Sequence, residues 1–291
     1  MSCPNCFSGH VREGAAAGRK TTLYGLPTYV AEPRDGRAVT GVVVIVPDAY
    51  GWQFVNNRIL ADHYADCGEW RVLLPEFMMV RLCLRLLKVG IVVACGLKLS
   101  VLLSIESPQL TLPHPTSYHV FCALYGFVPH LISNRLGVTL PKVVTYMRAL
   151  RTAEPRLPIG AAGFCWGGRH VFYLARPESL PPDTTTATTS PSGSARPLVD
   201  ALFAGHPSAV EAPAKLQGIK VPLAVAVGTD DMVFTPPQQA IVQRELKDAE
   251  VECEMRFYEG AGHEFCVRAD PADKEVEKHC AEGESQAVEW F

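Results

Sequence analysis

Short apolar runs alternate along this chain with stretches in which apolar residues recur at helical spacing. The runs predict six strands: Val39–Pro47, Trp70–Pro75, Ile159–Phe164, Ala201–Ala204, Pro222–Val227 and Val251–Tyr258. Because the runs lack polar alternation, helices are expected to cover both faces of their sheet. Helices are predicted over Val55–Cys67, after Trp166, from about Pro236, and from about Pro271 to the end. The alternation indicates an α/β fold with a mostly parallel central sheet.

Two stretches interrupt this alternation. Asp183–Arg196 is rich in Ser and Thr, has no apolar anchor, and is typical of a surface loop. Phe77–Ala153 contains a single acidic residue, Glu106, and its part Met78–Ile105 is strongly apolar. The most apolar segment includes Lys98 and is shorter than the roughly 20 residues that span a bilayer. We favour a buried or lid-forming helical insertion over membrane contact, although basic flanks are also typical of an interfacial helix.

The composition is that of a globular protein. Of 291 residues, 48% are hydrophobic and 20% are charged. A chain of this length can bury a large core without stabilisation by disulfide bonds or a bound metal. A net charge of −3 lacks the positive excess on which nucleic-acid binding depends. The length fits one α/β domain over 1–291, with the insertion at about 78–116 and the surface loop at about 183–196.

The N-terminal residues show no basic region followed by an apolar stretch, so no secretory signal is predicted and the expected location is the cytoplasm. In that reducing setting, the ten cysteines are expected to be mostly free thiols. Cys3 and Cys6 form a CxxC pair, but neither a second such pair nor a His pair lies in range for zinc. No metal and no cofactor are therefore expected.

The sharpest chemical signal is Gly-Phe-Cys-Trp-Gly-Gly at residues 163–168, directly after a predicted strand. A nucleophile elbow needs glycines two residues either side of the nucleophile, because the strand-to-helix turn is strained and closely packed. Such a turn exposes Cys165 at the carboxyl edge of the sheet, where the first N–H groups of the next helix offer an oxyanion hole. A buried structural cysteine is the plainer interpretation, but the strand, the spacing and the helix together favour a nucleophile.

A cysteine nucleophile needs a base, and the base needs an orienting acid. In hydrolases with such an elbow, the acid follows one late strand and the histidine follows the next. Here Asp230 and Asp231 follow Pro222–Val227, and His263 lies in a Gly-rich loop after the last predicted strand. Only one of the two adjacent aspartates can point inward, and the other is expected in solvent.

Other strand ends supply candidates for the pocket. The loop after the first predicted strand contains Asp48, which either interacts with the thiol or caps the following helix, and Tyr50, a candidate substrate contact. The same loop is expected to supply the second oxyanion donor. His206, after Ala201–Ala204, either lines the pocket or is a turn histidine.

Together the motifs GFCWGG, TDDMV and YEGAGHEF resemble the dienelactone hydrolases, cysteine-dependent members of the α/β-hydrolase superfamily. CPNCFSGH, GLPTYVAEP, PDAYGW and LLPEF are similar to the fungal-type branch, and the resemblance covers roughly residues 1–77 and 120–291. It implies an α/β-hydrolase fold and an enzyme that hydrolyses a small-molecule lactone or ester through an acyl-enzyme.

The resemblance also implies a triad of Cys165, Asp230 and His263. Asp230 is preferred to Asp231 because the family's acid is followed three residues later by an apolar residue, here Val233.

The remaining site residues are implied in the same way. The oxyanion donors fall on the N–H groups of Ala49 and Trp166, and the family's acidic residue near the thiol falls on Asp48. The substrate-clamping arginine has an approximate equivalent in Arg268.

Two departures leave alternatives open. Met78–Thr116 has no counterpart in the resemblance and is either an insertion or a translated intron, and the last helix is expected to be shorter than usual. Either feature allows a catalytically impaired hydrolase fold that serves as a binding protein. A glutamine-amidotransferase-like enzyme also has a cysteine elbow, but that class has His-x-Glu, whereas His263 and Glu264 are adjacent. The natural substrate and the oligomeric state are not predicted.

Overall fold

The computed structural model describes residues 10–12, 14–78, 132–176, 197–211, 216 and 218–291. These residues form an eight-stranded sheet with the strand order β1-β2-β4-β3-β5-β6-β7-β8. The strands are β1 Arg19–Leu23, β2 Leu26–Ala31, β3 Gly41–Val46, β4 Trp70–Pro75, β5 Ile159–Phe164, β6 Ala201–Gly205, β7 Leu223–Gly228 and β8 Cys253–Tyr258. The described helices are α1 Val55–Gly68, α2 Leu136–Ala153, α3 Trp166–Leu174, α4 Pro236–Lys247, α5 Phe265–Arg268 and α6 Lys274–Trp290.

The predicted parallel sheet is confirmed. All neighbouring strands from β4 through β8 in the sheet order are parallel. The six predicted strands are β3 to β8: the ends of β4 and β5 are as predicted, and those of the other four are shifted by one or two residues. All six residues of β3 are buried, as expected for a strand covered on both faces.

Helices pack on both faces of this sheet. Because side chains alternate along a strand, Val42, Val44 and Val46 face one core, together with α2, α3 and α4. Val43 and Ile45 face the other core, together with α1 and α6. The two layers hold the sheet in place and leave its carboxyl edge for loops.

Three elements lie outside the sequence predictions: the β1–β2 hairpin, helix α2 and the short helix α5. The β1–β2 hairpin extends the sheet by antiparallel pairing of β2 with β4. Its two-residue turn, Tyr24–Gly25, has positive φ at both positions, 49° and 81°. Such a turn is typical of tight hairpins. Helix α2 forms the last part of the acid-poor stretch Phe77–Ala153 and contains Pro141, yet its apolar residues recur at helical spacing and join the core.

Some predictions fall outside the described residues. These are the Cys3 and Cys6 pair, the Ser/Thr-rich loop over 183–196, and all of the insertion over 78–116 except Met78. In the part of the chain that the structure describes, no helix combines the length and the apolar character needed to cross a membrane.

Candidate active site

Chemically active side chains follow five of the parallel strands. Asp48 follows β3, Cys165 follows β5, His206 follows β6, Asp231 follows β7 and His263 follows β8. Because carboxyl ends of parallel strands meet at one edge, these residues come together there, where open α/β sheets bind ligands.

The turn at Cys165 has the geometry of a nucleophile elbow. Cys165 directly joins β5 to α3, and its φ of 49° lies in the left-handed region. A Cβ on Gly163 would lie 2.5 Å from the carbonyl oxygen of Gly167, and one on Gly167 would lie 1.9 Å from that of Val46. Only glycine permits both approaches, so the Gly-x-Cys-x-Gly spacing is a steric requirement of this turn.

His263 links the thiol to a carboxylate. Its Nε2 lies 3.1 Å from Cys165 Sγ. Its Nδ1 lies 2.8 Å and 3.0 Å from Asp231 Oδ2 and Oδ1. All three residues are almost fully buried. An N–H at Nδ1 bonded to the carboxylate leaves the Nε2 lone pair facing the sulfur, which is the tautomer that a base needs.

The preference for Asp230 over Asp231 is wrong. Asp230 is exposed, and its backbone N–H donates to the Ala261 carbonyl at 3.1 Å. The Asp231 carboxylate is buried and also accepts the N–H groups of Val233 and Phe234 at 2.7 and 2.9 Å. The turn after β7 therefore folds around the second aspartate. The apolar residue three positions after Asp230, Val233, does not indicate which of the two aspartates points inward.

The loop that carries Asp231 is held from both ends. Gln239 on α4 donates from Nε2 to the carbonyl oxygens of Gly228 and Phe234, at 3.0 and 2.6 Å. A Cβ on Gly228 would lie 2.1 Å from the carbonyl oxygen of Ala261, so a glycine is required where this loop meets the histidine loop. Nothing in the local sequence singles out Gln239, since its partners are set by the fold.

Asp48 is fully buried beside Arg268. Its Oδ1 accepts the N–H of Tyr50 at 3.1 Å and the amide of Asn57 at 2.9 Å, and its Oδ2 accepts from Arg268 Nη1. The helix-cap interpretation of Asp48 is wrong, because α1 begins after Phe54 without a side-chain cap. Asp48 instead balances a buried cation.

Arg268 lies on α5, inside the protein. Burial disfavours its charged form, but the neighbouring Asp48, Tyr50 and Cys165 outweigh that effect and raise the pKa of Arg268. The guanidinium lies over the ring of Tyr50, 4.9 Å from its centroid, and Tyr50 stacks on Phe54 at 4.6 Å. Arg268 is thus bound to Asp48 and Tyr50.

The two candidate oxyanion donors follow the carboxyl ends of adjacent strands. Ala49 follows β3, Trp166 is the first residue of α3, and β3 pairs with β5. The first N–H groups of a helix have no partner within the helix.

His170 holds the first turn of α3. Its Nδ1 lies 3.2 Å from the Trp166 carbonyl oxygen, and its Nε2 lies 2.9 Å from Thr139 Oγ1. Burial lowers the pKa of His170 to about 3, so the ring is neutral. Its ring centroid lies 4.2 Å from that of Trp166.

The turn after β6 is built around Cys165. The N–H of Cys165 donates to the Gly205 carbonyl at 3.1 Å, and the N–H of Ser208 donates to the Cys165 carbonyl at 2.9 Å. Ser208 Oγ also lies 3.9 Å from Cys165 Sγ. The turn places the centroid of the His206 ring 5.2 Å from that of the His263 ring. Ser208 was not among the predicted site residues, although it follows the same strand end as His206.

This chain is similar to known hydrolases in sequence and in fold. A family model for the dienelactone hydrolase family matches residues 130–291. Hydrolase pyvD from Aspergillus violaceofuscus is 23% identical over 98% of this chain and 94% of its own length. The carboxymethylenebutenolidase homolog of Homo sapiens is 23% identical over 99% of this chain and 96% of its own length. A solved structure of dienelactone hydrolase from Anabaena variabilis superposes with a TM-score of 0.55 at 16% identity, covering 94% of this chain and 95% of that chain.

The family match includes all the strand ends from β5 onward, and the solved structure confirms the fold. The resemblance seen in the three motifs is thereby confirmed. Since the family model matches more than half of the sequence, the chain belongs to the dienelactone hydrolase family and is a hydrolase of the lactone or ester type.

Proposed function

We propose that this chain hydrolyses a lactone or small ester through a triad of Cys165, His263 and Asp231 and an acyl-enzyme intermediate. The observation that supports the proposal best is the unbroken line of contacts through His263. The sulfur lies 3.1 Å from Nε2, and Nδ1 lies 2.8 Å from the carboxylate. A nucleophile, a base and an orienting acid in this order are the requirements for covalent catalysis.

In the first half-reaction, Cys165 Sγ bonds to the substrate carbonyl carbon while its proton passes to Nε2 of His263. Asp231 accepts the Nδ1–H bond, keeps the ring in the required tautomer and stabilises the imidazolium. The proton then passes to the leaving oxygen as its bond to the acyl carbon breaks. With a lactone, the new alcohol stays attached to the acyl group.

The N–H groups of Ala49 and Trp166 are proposed to hold the oxyanion. They follow the carboxyl ends of two adjacent strands, β3 and β5, and Trp166 is the residue next to Cys165. Fixed donors aimed at developing negative charge are usually the largest single contribution to catalysis of acyl transfer. The neutral His170 bonded to the Trp166 carbonyl would keep the first turn of α3 in place.

Asp48, Tyr50 and Arg268 are proposed to bound the substrate pocket. Because Asp48 already neutralises Arg268, a substrate carboxylate has to compete with Asp48 for the guanidinium. Neutral esters and lactones avoid that competition. We therefore expect neutral substrates to be hydrolysed faster than matched substrates with a carboxylate near the reacting carbonyl.

A glutamine-amidotransferase-like mechanism has no support from this geometry. That class takes its acid from the residue two positions after the histidine. Here the partner of His263 Nδ1 is Asp231, from the loop after the preceding strand. The intact contact line also favours an active enzyme over an impaired fold that only binds.

Trapping the acyl group tests the proposal. The protein is mixed with p-nitrophenyl acetate, quenched in acid, digested and analysed by mass spectrometry. An acetyl group is expected on Cys165 and to be missing in Cys165→Ala, together with the activity. The exposed Cys67 supplies the matched control, because Cys67→Ala should keep both signals. Full esterase activity in Cys165→Ala would exclude Cys165 as the nucleophile.

A further inference from the structure

His206 is the feature that the triad leaves unexplained. Its imidazole is fully buried, and neither ring nitrogen has a hydrogen-bond partner within the described part of the chain. Its φ is 36°, in the left-handed region. Buried polar atoms are nearly always paired, and a non-glycine residue rarely adopts positive φ. Two such costs at one residue indicate a functional requirement for this imidazole.

The surroundings of the ring limit where a partner can lie. The centroids of the Phe164 and Phe265 rings lie 6.0 and 5.9 Å from that of His206, and these rings offer no hydrogen bonds. The remaining ring neighbour is His263, at 5.2 Å and an interplanar angle of 80°. A polar atom that binds His206 is therefore expected on the side of His263 and Cys165.

The position of His206 is fixed relative to the nucleophile. Gly205, directly before His206, and Ser208, two residues after it, both bond to the backbone of Cys165. The N–H of His206 donates to the Ala226 carbonyl of β7 at 2.9 Å. The backbone of His206 is thus fixed relative to that of Cys165.

The ring is also kept neutral. Burial, and then the nearby His263 and Arg268, hold the pKa of His206 well below its ordinary value of 6.5. A neutral imidazole has one N–H donor and one acceptor nitrogen, which are the two groups that a water molecule pairs with.

We propose that His206 binds the water molecule that hydrolyses the acyl-enzyme, a role that rests on the proposed function. A water that bonds to a ring nitrogen of His206 lies beside the base, because the centroids of the His206 and His263 rings are 5.2 Å apart. The water oxygen bonds to the acyl carbon, and one water proton passes to Nε2 of His263. The carbon–sulfur bond breaks, which releases the carboxylic acid and leaves a thiolate beside the imidazolium.

Burst kinetics with p-nitrophenyl acetate separate this role from others, since acylation releases p-nitrophenol and deacylation does not. His206→Leu and His206→Asn have nearly the same shape, but only Asn keeps a donor and an acceptor, and Asn tolerates positive φ. His206→Leu is expected to slow deacylation at least about tenfold with little change in acylation, because it removes the positioning of the attacking water. His206→Asn is expected to recover most of that rate.

The control is His279→Phe on α6. His279 is another buried histidine, paired with the Glu259 carbonyl at 3.0 Å, and its replacement should leave both rates unchanged. Burst amplitudes count folded sites, so unfolded protein does not affect the rates. If His206→Leu does not fold, His206→Phe, which keeps a ring against Phe164 and Phe265, takes its place.

Three results would overturn the proposal. The first is equal loss of acylation and deacylation, the second is a change confined to acylation or KM, and the third is His206→Asn as slow as His206→Leu. Failure of the proposed function is distinguishable, because the acetyl group would then be missing from Cys165 in the unchanged protein.

Discussion

Replacing Asp231 by Asn tests which of two adjacent carboxylates serves His263. The Oδ1 atom accepts the N–H groups of Val233 and Phe234, and Oδ2 lies 2.8 Å from His263 Nδ1. In Asp231→Asn the single oxygen is needed for the two backbone N–H groups, since leaving a buried donor unpaired costs about 1–3 kcal/mol. The NH₂ group then takes the place of Oδ2 and points a hydrogen at Nδ1.

That hydrogen reverses the tautomer of His263. Nδ1 becomes an acceptor, and the ring proton moves to Nε2, where it faces Cys165 Sγ. The ring can no longer take the thiol proton. Fixing the wrong tautomer in a triad lowers kcat by about 10⁴-fold. We therefore expect a loss of about 10³- to 10⁴-fold, or about 4–5.5 kcal/mol of transition-state stabilisation.

The assay is hydrolysis of a neutral aryl ester, with kcat and KM measured separately and folding checked by circular dichroism. Asp230→Asn is the matched control. It removes the same charge from the neighbouring residue, whose side chain is exposed. Its activity is expected to stay within about twofold, as usual for surface substitutions. An equal loss in both variants, or a larger loss in Asp230→Asn, would refute the reasoning.

Four further predictions concern packing, three of them around the site. Gly167→Ala places a Cβ 1.9 Å from the Val46 carbonyl oxygen and is expected to abolish folding or activity. Gly137→Ala meets nothing within 4 Å and should stabilise α2 by about 0.5–1 kcal/mol in urea unfolding. Retained activity in Gly167→Ala would contradict the elbow geometry. Arg268→Met leaves the Asp48 carboxylate buried without its cation and should lower the free energy of unfolding by about 3–5 kcal/mol. Adding Asp48→Asn should restore most of it, and no recovery would contradict the pairing. Gln239→Leu removes both donors to the Asp231 loop and should lower kcat about tenfold to a hundredfold with a smaller change in KM. Unchanged kcat would show that the loop keeps its shape without Gln239.

The sequence predicts the elements whose residue pattern follows from local requirements alone, such as burial or steric fit. The apolar run of β3 is recognisable because burial on both faces excludes polar residues at every position. The elbow at Cys165 is recognisable because only glycine fits at 163 and 167, whatever the rest of the fold does. The order of nucleophile, acid and histidine along the chain follows from the order of the strands. Together these features determined the fold class and the positions of Cys165 and His263.

Elements whose local signature is mixed were missed. The β1–β2 strands contain exposed and half-buried positions, so they lack a continuous apolar run, and their turn is marked by a single glycine. Helix α2 contains Pro141, which normally disfavours a helix interior. Its packing against the core outweighs that local preference.

Only the tertiary structure decided between Asp230 and Asp231. Both follow the same strand, and the sequence around them allows either carboxylate to turn inward. The choice depends on a contact with a segment distant in the chain, since the loop of His263 accepts the N–H of Asp230. The start of α4 then holds the far end of the turn through Gln239. The same holds for Asp48, whose partner Arg268 is 220 residues away in sequence. Local pattern determines which strand ends carry reactive side chains, but which atoms meet there is set by long-range packing of one loop against another.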